Sequence, residues 1–207
     1  MKTALYIFSF IFTMTTTLLS SELIPSSIED AAQKKYGAFA YNRFVYINKE
    51  ILNALKDDSD MRKLNIVNSW MNGIRYKSDQ KVYKQSDYWA TLYEFIGKNH
   101  GDCEDYTIAK YYVLKELGID PKRMKFTYVI YQNRRGKKIS HMVLSYFKIP
   151  KPKNKDDILI LDNNNRLILP ASQRPDIVRV VKMINGDTGP KSKKWKKLEA
   201  NMKRKKL

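Results

Sequence analysis

The 207-residue chain holds one cysteine and two histidines, so any thiol chemistry it performs must run through Cys103 with His100 or His141 as its base. A thiol attacks carbon only as thiolate, and it needs a base within hydrogen-bond reach and a third group that fixes the base's tautomer. Cys103 stands in Gly101-Asp102-Cys103-Glu104-Asp105, directly before a helix-like run, which places it at a helix N-terminus. The partial positive charge and free N–H groups of a helix start favour the thiolate, and the same donors suit the oxyanion of a tetrahedral intermediate. His100 lies in a turn three residues before the cysteine and reads as an exposed loop residue. His141 lies in KISHMVLSYF on the face shared with Val143 and Ser145. There it is either the general base or a half-buried sheet histidine, and spacing leaves both readings open. Asp162 ends the apolar run ILIL. A strand emerging there at a sheet rim would turn its carboxylate toward a histidine on the neighbouring strand; the same residue is equally a turn former ahead of Asn163, Asn164 and Asn165.

Asp102, Glu104 and Asp105 crowd three carboxylates around the thiol, and their field opposes its ionisation. Some of this is ordinary helix chemistry, since Asp suits an N-cap and acids are favourable in a first turn. A hard cation held by these oxygens would cancel the repulsion and lock the loop, and oxygen-only ligation points to calcium rather than zinc. On the residues alone, capping and calcium binding both stay open.

The elements that must position these groups are legible in outline. A hydrophobic fraction of 43% and an aromatic fraction of 12% supply a core, the length suits one domain, and disorder over the whole chain is excluded. From about Ile24 to Trp70 the apolar spacing is helical, through Phe39, Phe44, Ile47, Ile51, Leu52 and Leu55, with a break at Asp57 to Asp60 and a second helix from Met61 to about Ile74. The polar and aromatic stretch 74–91 predicts an ordered loop lying over something, and 97–101 a turn. The helix after Cys103 ends at Gly118 with Pro121 just beyond. KFTYVIY, KISHMVLSYF, ILILD and RLILP then predict an antiparallel meander. The fold class is α+β, with N-terminal helices followed by an antiparallel β-sheet.

Met1-Lys2-Thr3, the apolar stretch Ala4 to Met14 and the small residues Ser20 and Ser21 read as a secretory signal over 1–21. The apolar part is short of the roughly 20 residues of a membrane span, an uncleaved anchor being the alternative. A lone cysteine in an exported chain makes no internal disulfide, so it serves burial or chemistry. The net charge is +18, of which residues 191–207 carry +8 as nine Lys or Arg against Glu199. Without a stacking or nucleic-acid motif this charge does not predict nucleic acid as a partner. It reads instead as a flexible basic tail over 191–207, with an anionic surface as its possible contact, after a peptidase domain over 22–190.

Taken in order, GDCED, SHMVL and LDN, with VNSWMNGIRYKSD and SDYWAT upstream, resemble the bacterial transglutaminase-like cysteine peptidases of the LapG type over roughly residues 64–176. The resemblance implies a papain-like, transglutaminase-like core and a catalytic triad of Cys103, His141 and Asp162. It implies Ca2+ bound by the acids beside the cysteine, here Asp102 and Glu104 with Asp105 as a third. It further implies a periplasmic endopeptidase that clips the N-terminal region of a large repeat adhesin next to paired alanines, releasing a biofilm, and that a LapD-like inner-membrane cyclic di-GMP receptor sequesters. Leu92 stands where that motif usually has proline after WAT, and the chain diverges after Asp176. Two alternatives share the same residues: a transglutaminase that passes the acyl group to an amine, and a catalytically silent calcium-dependent binding module.

Overall fold

The structure, a computed structural model, describes residues 23–207; the expected export signal over 1–21 lies outside the described residues. The helical half opens with α1 (Ser26–Tyr36) and α2 (Ala38–Tyr46), which the apolar pattern alone runs together. Gly37 parts them at φ 85°, a left-handed conformation that glycine adopts without the cost a Cβ imposes. α2 continues as π-helical turns over Ile47–Asn53. After the acidic break comes α3 (Asp60–Met71), whose cap Ser59 accepts from the Arg62 N–H at 3.4 Å. Phe44, Ile47, Ile51, Leu64, Val67 and Met71 are buried, as the helical spacing requires, whereas Phe39 is 83% exposed.

The stretch beyond α3 holds β1 (Arg75–Tyr76) and the short α4 (Asp79–Val82) and leads to α5 (Leu92–Lys98). A capping box starts α5: Thr91 Oγ1 accepts from the Glu94 N–H at 2.9 Å, and Glu94 Oε2 accepts from the Thr91 N–H at 3.1 Å. Left-handed Asn99 ends it, and β2 (His100–Gly101) then pairs parallel with β1. α6 (Cys103–Glu116) follows at once and packs against β4 of the sheet and against α3.

The sheet is built from β3 (Met124–Gln132), β4 (Lys138–Phe147), β5 (Ile158–Leu161), β6 (Leu169–Pro170) and β7 (Ile177–Asn185), in the order β6-β5-β4-β3-β7, with every pair antiparallel. The expected meander is there, with its fourth strand cut to two residues; β7 adds a fifth on the far side of β3. Met142, Leu144 and Tyr146 join the main core under the helices, while Val143 packs with Val129 and Ile160 in a second, smaller cluster. β4 pairs Leu144 with Leu161. Carried one step further, that register sets Asp162 level with Val143, a diagonal neighbour of His141.

Residues 191–207, expected as a flexible tail, are instead docked on the body. Helix α7 (Lys193–Lys203) starts at its cap Ser192, whose Oγ accepts from the Trp195 N–H at 3.1 Å. Trp195, Leu198 and Met202 recur at i, i+3 and i+7 and are buried in the main core. Trp195 meets Trp89, Tyr111, Tyr112 and Phe126 with ring centroids 5.1 to 6.4 Å apart. A dominant charge along the segment masks this narrow apolar stripe. Gly189 lets the chain approach that indole, since a Cβ there would lie 2.4 Å from it. Among the described residues no helix is long and apolar enough to cross a membrane.

Candidate active site

Cys103 and His141 line one cleft of about 700 Å³, together with Trp89, Glu104, Tyr128, Met142, the β7 residues Val181, Lys182 and Ile184, and the turn Pro190–Lys194. The β7 and α7 approaches supply one wall of this cleft, so the segments after Asp176 belong to the site. His100 is not among the lining residues; its Nδ1 faces the Lys98 carbonyl oxygen at 2.8 Å.

At the thiol end, helix α6 begins at Asp102 and its backbone is held by Asp105. Asp105 Oδ2 accepts from the Asp102 N–H at 3.2 Å, and Oδ1 accepts from the Ala90 N–H at 2.8 Å, which ties the loop before α5 to the helix start. Gly101 makes room for this: a Cβ there would lie 2.6 Å from the Phe95 ring and 2.7 Å from Asp105 Oδ2. Asp79, the last residue of VNSWMNGIRYKSD and not among the expected ligands, comes in from α4 with Oδ2 accepting from the Tyr88 N–H at 2.5 Å. Its Oδ1 and that of Asp102 are buried and have no hydrogen-bond partner among the described residues. Ligand atoms of Asp79, Asp102 and Asp105 lie within 4.8 Å of one another, as do those of Asp102, Cys103 and Glu104.

So many acids in little water are mutually unfavourable. Burial, then Glu104 and Asp105, push the Asp102 carboxyl up to about 9. Burial pushes Asp79 up to about 6 against the Tyr88 hydrogen bond, and it pushes Asp105 well above the carboxylate range. The Cys103 S–H donates to Glu104 Oε2 at 2.7 Å. Burial, Glu104 and Asp102 all hold that thiol protonated, opposed by the Met142 N–H. Unpartnered buried carboxylate oxygens in an all-oxygen cluster are the donor set a hard divalent cation fits, and calcium is the ion that tolerates such irregular carboxylate groups.

The base end has the opposite character. His141 Nε2 and Asp162 Oδ1 are 2.7 Å apart, with the histidine 6% and the aspartate 1% exposed. Because Nε2 is engaged with the carboxylate, Nδ1 is the ring nitrogen left for the cleft. Asp162 Oδ1 also accepts from the Asn164 N–H at 2.9 Å, and its backbone oxygen accepts from Asn72 Nδ2 of the α3 C-cap at 2.8 Å. The aspartate therefore forms its turn and faces the histidine at once. Arg174, between β6 and β7, donates from Nη2 to Asp162 Oδ2 at 2.6 Å. Burial alone would raise the Asp162 carboxyl; the His141 hydrogen bond and charge, Arg174 and the Asn164 N–H outweigh it and hold the group at about 2.

Arg174 has no sequence signature, since it joins the site only through tertiary packing; Asp79 closes the stretch VNSWMNGIRYKSD, but nothing in that stretch announces its place in the acidic cluster. Trp89 lies in the SDYWAT motif but announces no role in the cleft.

The profile of the family described as bacterial transglutaminase-like cysteine proteinase, BTLCP, matches residues 45–203. No curated protein matches the chain. Among solved structures, Legionella pneumophila LapG is similar at 32% identity and a TM-score of 0.70, covering 86% of this chain and 96% of that one. A calcium-bound form of that protein matches at 29% identity and a TM-score of 0.68 over 86% of this chain and 98% of that one. An EGTA-treated form matches at 30% identity and a TM-score of 0.68, covering 86% and 96%.

Proposed function

From the premise that the chain belongs to the bacterial transglutaminase-like cysteine proteinases and is a LapG-like cysteine peptidase, we propose that Cys103, His141 and Asp162 form its catalytic triad. The observation that carries this reading is the 2.7 Å His141–Asp162 contact behind a cleft that Cys103 also lines. His141 Nδ1 takes the thiol proton as Sγ attacks the scissile carbonyl carbon. The oxyanion that forms is met by N–H groups at the start of α6. Collapse breaks the C–N bond, His141 returns the proton to the leaving amine, and a thioester remains on Cys103. Water, deprotonated by His141, then attacks the thioester and frees the acid and the thiol. Asp162 keeps the ring in one tautomer throughout and steadies the imidazolium when it forms.

Asp102 and Glu104, with Asp79 and Asp105 completing the group, would hold calcium. Bound there, the ion would supply positive charge that offsets the carboxylates around the thiol. Support comes from the two unpartnered oxygens and from the calcium-bound and EGTA-treated forms of the Legionella relative.

The substrate of this reading is the N-terminal region of a large surface adhesin, cut next to paired alanines in the periplasm to release a biofilm, with a LapD-like cyclic di-GMP receptor as the regulating partner. Similarity to LapG supports it. The test is cleavage of purified adhesin N-terminal fragments by wild type and by Cys103→Ala in calcium, read by mass spectrometry. Two fragments from the wild type and none from the variant are expected. Crosslinked product would replace hydrolysis with acyl transfer, and cleavage by Cys103→Ala would sink the triad.

A further inference from the structure

Arg174 is a charged side chain with only 2% of its surface exposed, and the triad does not include it. It follows the 3-10 turn Ala171–Gln173 and precedes β7. Its guanidinium meets two carboxylates: Nη2 reaches Asp162 Oδ2 at 2.6 Å, while Nε and Nη2 reach Asp176 Oδ1 at 2.9 Å and Oδ2 at 2.7 Å. A guanidinium is a rigid planar fork, so a two-point hold from Asp176 fixes its plane and thereby the direction of the N–H given to Asp162. Asp162 is left with both oxygens occupied, Oδ1 by His141 and the Asn164 N–H and Oδ2 by Arg174. The carboxylate cannot turn without giving up a buried, charge-assisted hydrogen bond.

That orientation matters because the neutral imidazole has two tautomers. With Asp162 ionised and aimed at Nε2, the proton sits on Nε2 and the lone pair on Nδ1. A protonated or rotated Asp162 would release this preference and allow the tautomer whose Nδ1 carries a proton and cannot take one from the thiol. We propose that Arg174, oriented by Asp176, is a positioning residue of the peptidase that acts through Asp162 to hold His141 in the tautomer able to deprotonate Cys103. The proposal rests on the triad reading and adds to it a buried cation that lies outside the three matched motifs.

Cys103 is the chain's only cysteine, so alkylation by iodoacetamide, followed by mass spectrometry of the full chain in saturating calcium, reports on one thiol. The same variants are assayed on a fluorogenic peptide containing an Ala-Ala bond. Arg174→Gln should slow both alkylation and kcat by roughly 10- to 100-fold, the scale of a lost charge-assisted hydrogen bond, with KM moved less than about 2-fold. Arg174→Lys, which keeps the charge but not the fork, should recover part of the rate. In an Asp162→Asn background, Arg174→Gln should cost at most about 2-fold more, because a residue that works only through Asp162 has nothing left to act on. Wild-type rates in Arg174→Gln, or losses that multiply in the double variant, would overturn the proposal. If thermal melts show that Arg174→Gln does not fold, Arg174→Lys and Asp176→Asn take its place in the cycle: slowed rates that do not multiply with Asp162→Asn support the proposal, and wild-type or multiplying rates overturn it. Should Cys103→Ala and Asp162→Asn retain peptide turnover, the triad itself fails. Should they abolish it while Arg174→Gln does nothing, only the role of Arg174 fails.

Discussion

The two ends of the cleft each withdraw an aspartate from water and give it an opposite fate. Asp162 is saturated with partners: a histidine, an arginine and a backbone N–H hold its carboxylate at about 2. Asp102, on the other side of the thiol, has an oxygen with no partner and two further carboxylates beside it, and its carboxyl is pushed up to about 9. Desolvation acts on both in the same direction, so the sign of the net effect is decided by neighbours. The fold carries its own cation beside Asp162, Arg174, whereas the acidic group beside the thiol has no such side-chain cation among the described residues, and on the proposed reading an ion would complete it. A permanent cation suits a residue that holds a histidine in one tautomer at all times. An exchangeable one would make the proposed nucleophile conditional on its surroundings.

The sharpest attempt to break this contrast is Asp162→Asn, which keeps shape and removes charge. We expect kcat to fall by about 10³- to 10⁴-fold, the scale seen when a triad loses its orienting carboxylate. Steady-state kinetics on a cleavable peptide would measure it, and a loss under about 10-fold would mean that the base end does not depend on an ionised partner. Next in size is the wall that both ends share. Trp195→Ala empties a buried ring site among Trp89, Tyr111, Tyr112 and Phe126, and should cost about 3–5 kcal/mol of stability by urea unfolding. Truncation after Pro190 removes that ring with Leu198 and Met202, and should lose activity with the fold. Normal melting of either protein would return the segment to the flexible tail that its charge suggests.

That tail marks where the sequence misleads. Helix α6, its cap and its stop at Gly118 are local features, each set by a few adjacent residues, and all are legible in the chain. The central strands are equally plain, because alternation and β-branched residues act over short spans. In α7 the signal is a stripe of three apolar residues among five lysines, so composition points one way and periodicity the other. β7 exposes Val178, Val180 and Val181 as an edge strand, and nothing local marks it as the cleft wall. Arg174 is placed by packing over 12 residues to Asp162, which no short motif encodes, and Asp79 ends a recognisable stretch whose sequence does not tell that it meets Asp102 and Asp105. Cys103 and His141 of the proposed triad stand out chiefly because the chain offers so few cysteines and histidines to choose from.

A smaller effect tests the base end through pH. The folded-state value of Asp162 is depressed to about 2 from an unfolded value of roughly 3.9. For a depressed carboxyl the stability gained is fully present above the unfolded value and is lost as pH falls through the folded one. Between about pH 4 and pH 2 the wild type should therefore surrender about 2–3 kcal/mol that Asp162→Asn never had. Urea unfolding at a series of pH values would show the two curves converging on acidification; parallel curves would deny the aspartate its stabilised charge.

The smallest expected effect is the same substitution at the other end, and it completes the contrast. In chelator, Asp102→Asn should leave stability within about 1 kcal/mol of wild type, because the Asp102 Oδ1 has no hydrogen bond to lose and a carboxyl pushed up to about 9 is already uncharged at neutral pH, as the amide is. Added calcium should then separate the two proteins. At 100 times its dissociation constant an ion that binds only the folded state stabilises by about 2.7 kcal/mol, visible as a rise in Tm of the wild type and absent or much reduced in the variant. Thermal melts with EGTA and with calcium supply all four values. An Asp102→Asn protein that is destabilised in EGTA as much as Asp162→Asn would mean that the thiol-end carboxylates are already satisfied within the chain. The two ends would then differ only in chemistry and not in their need for an ion. A wild type whose Tm ignores calcium while Asp102→Asn is neutral would instead leave the unpartnered oxygens without a purpose in binding, and would move the role of the acids back to capping α6.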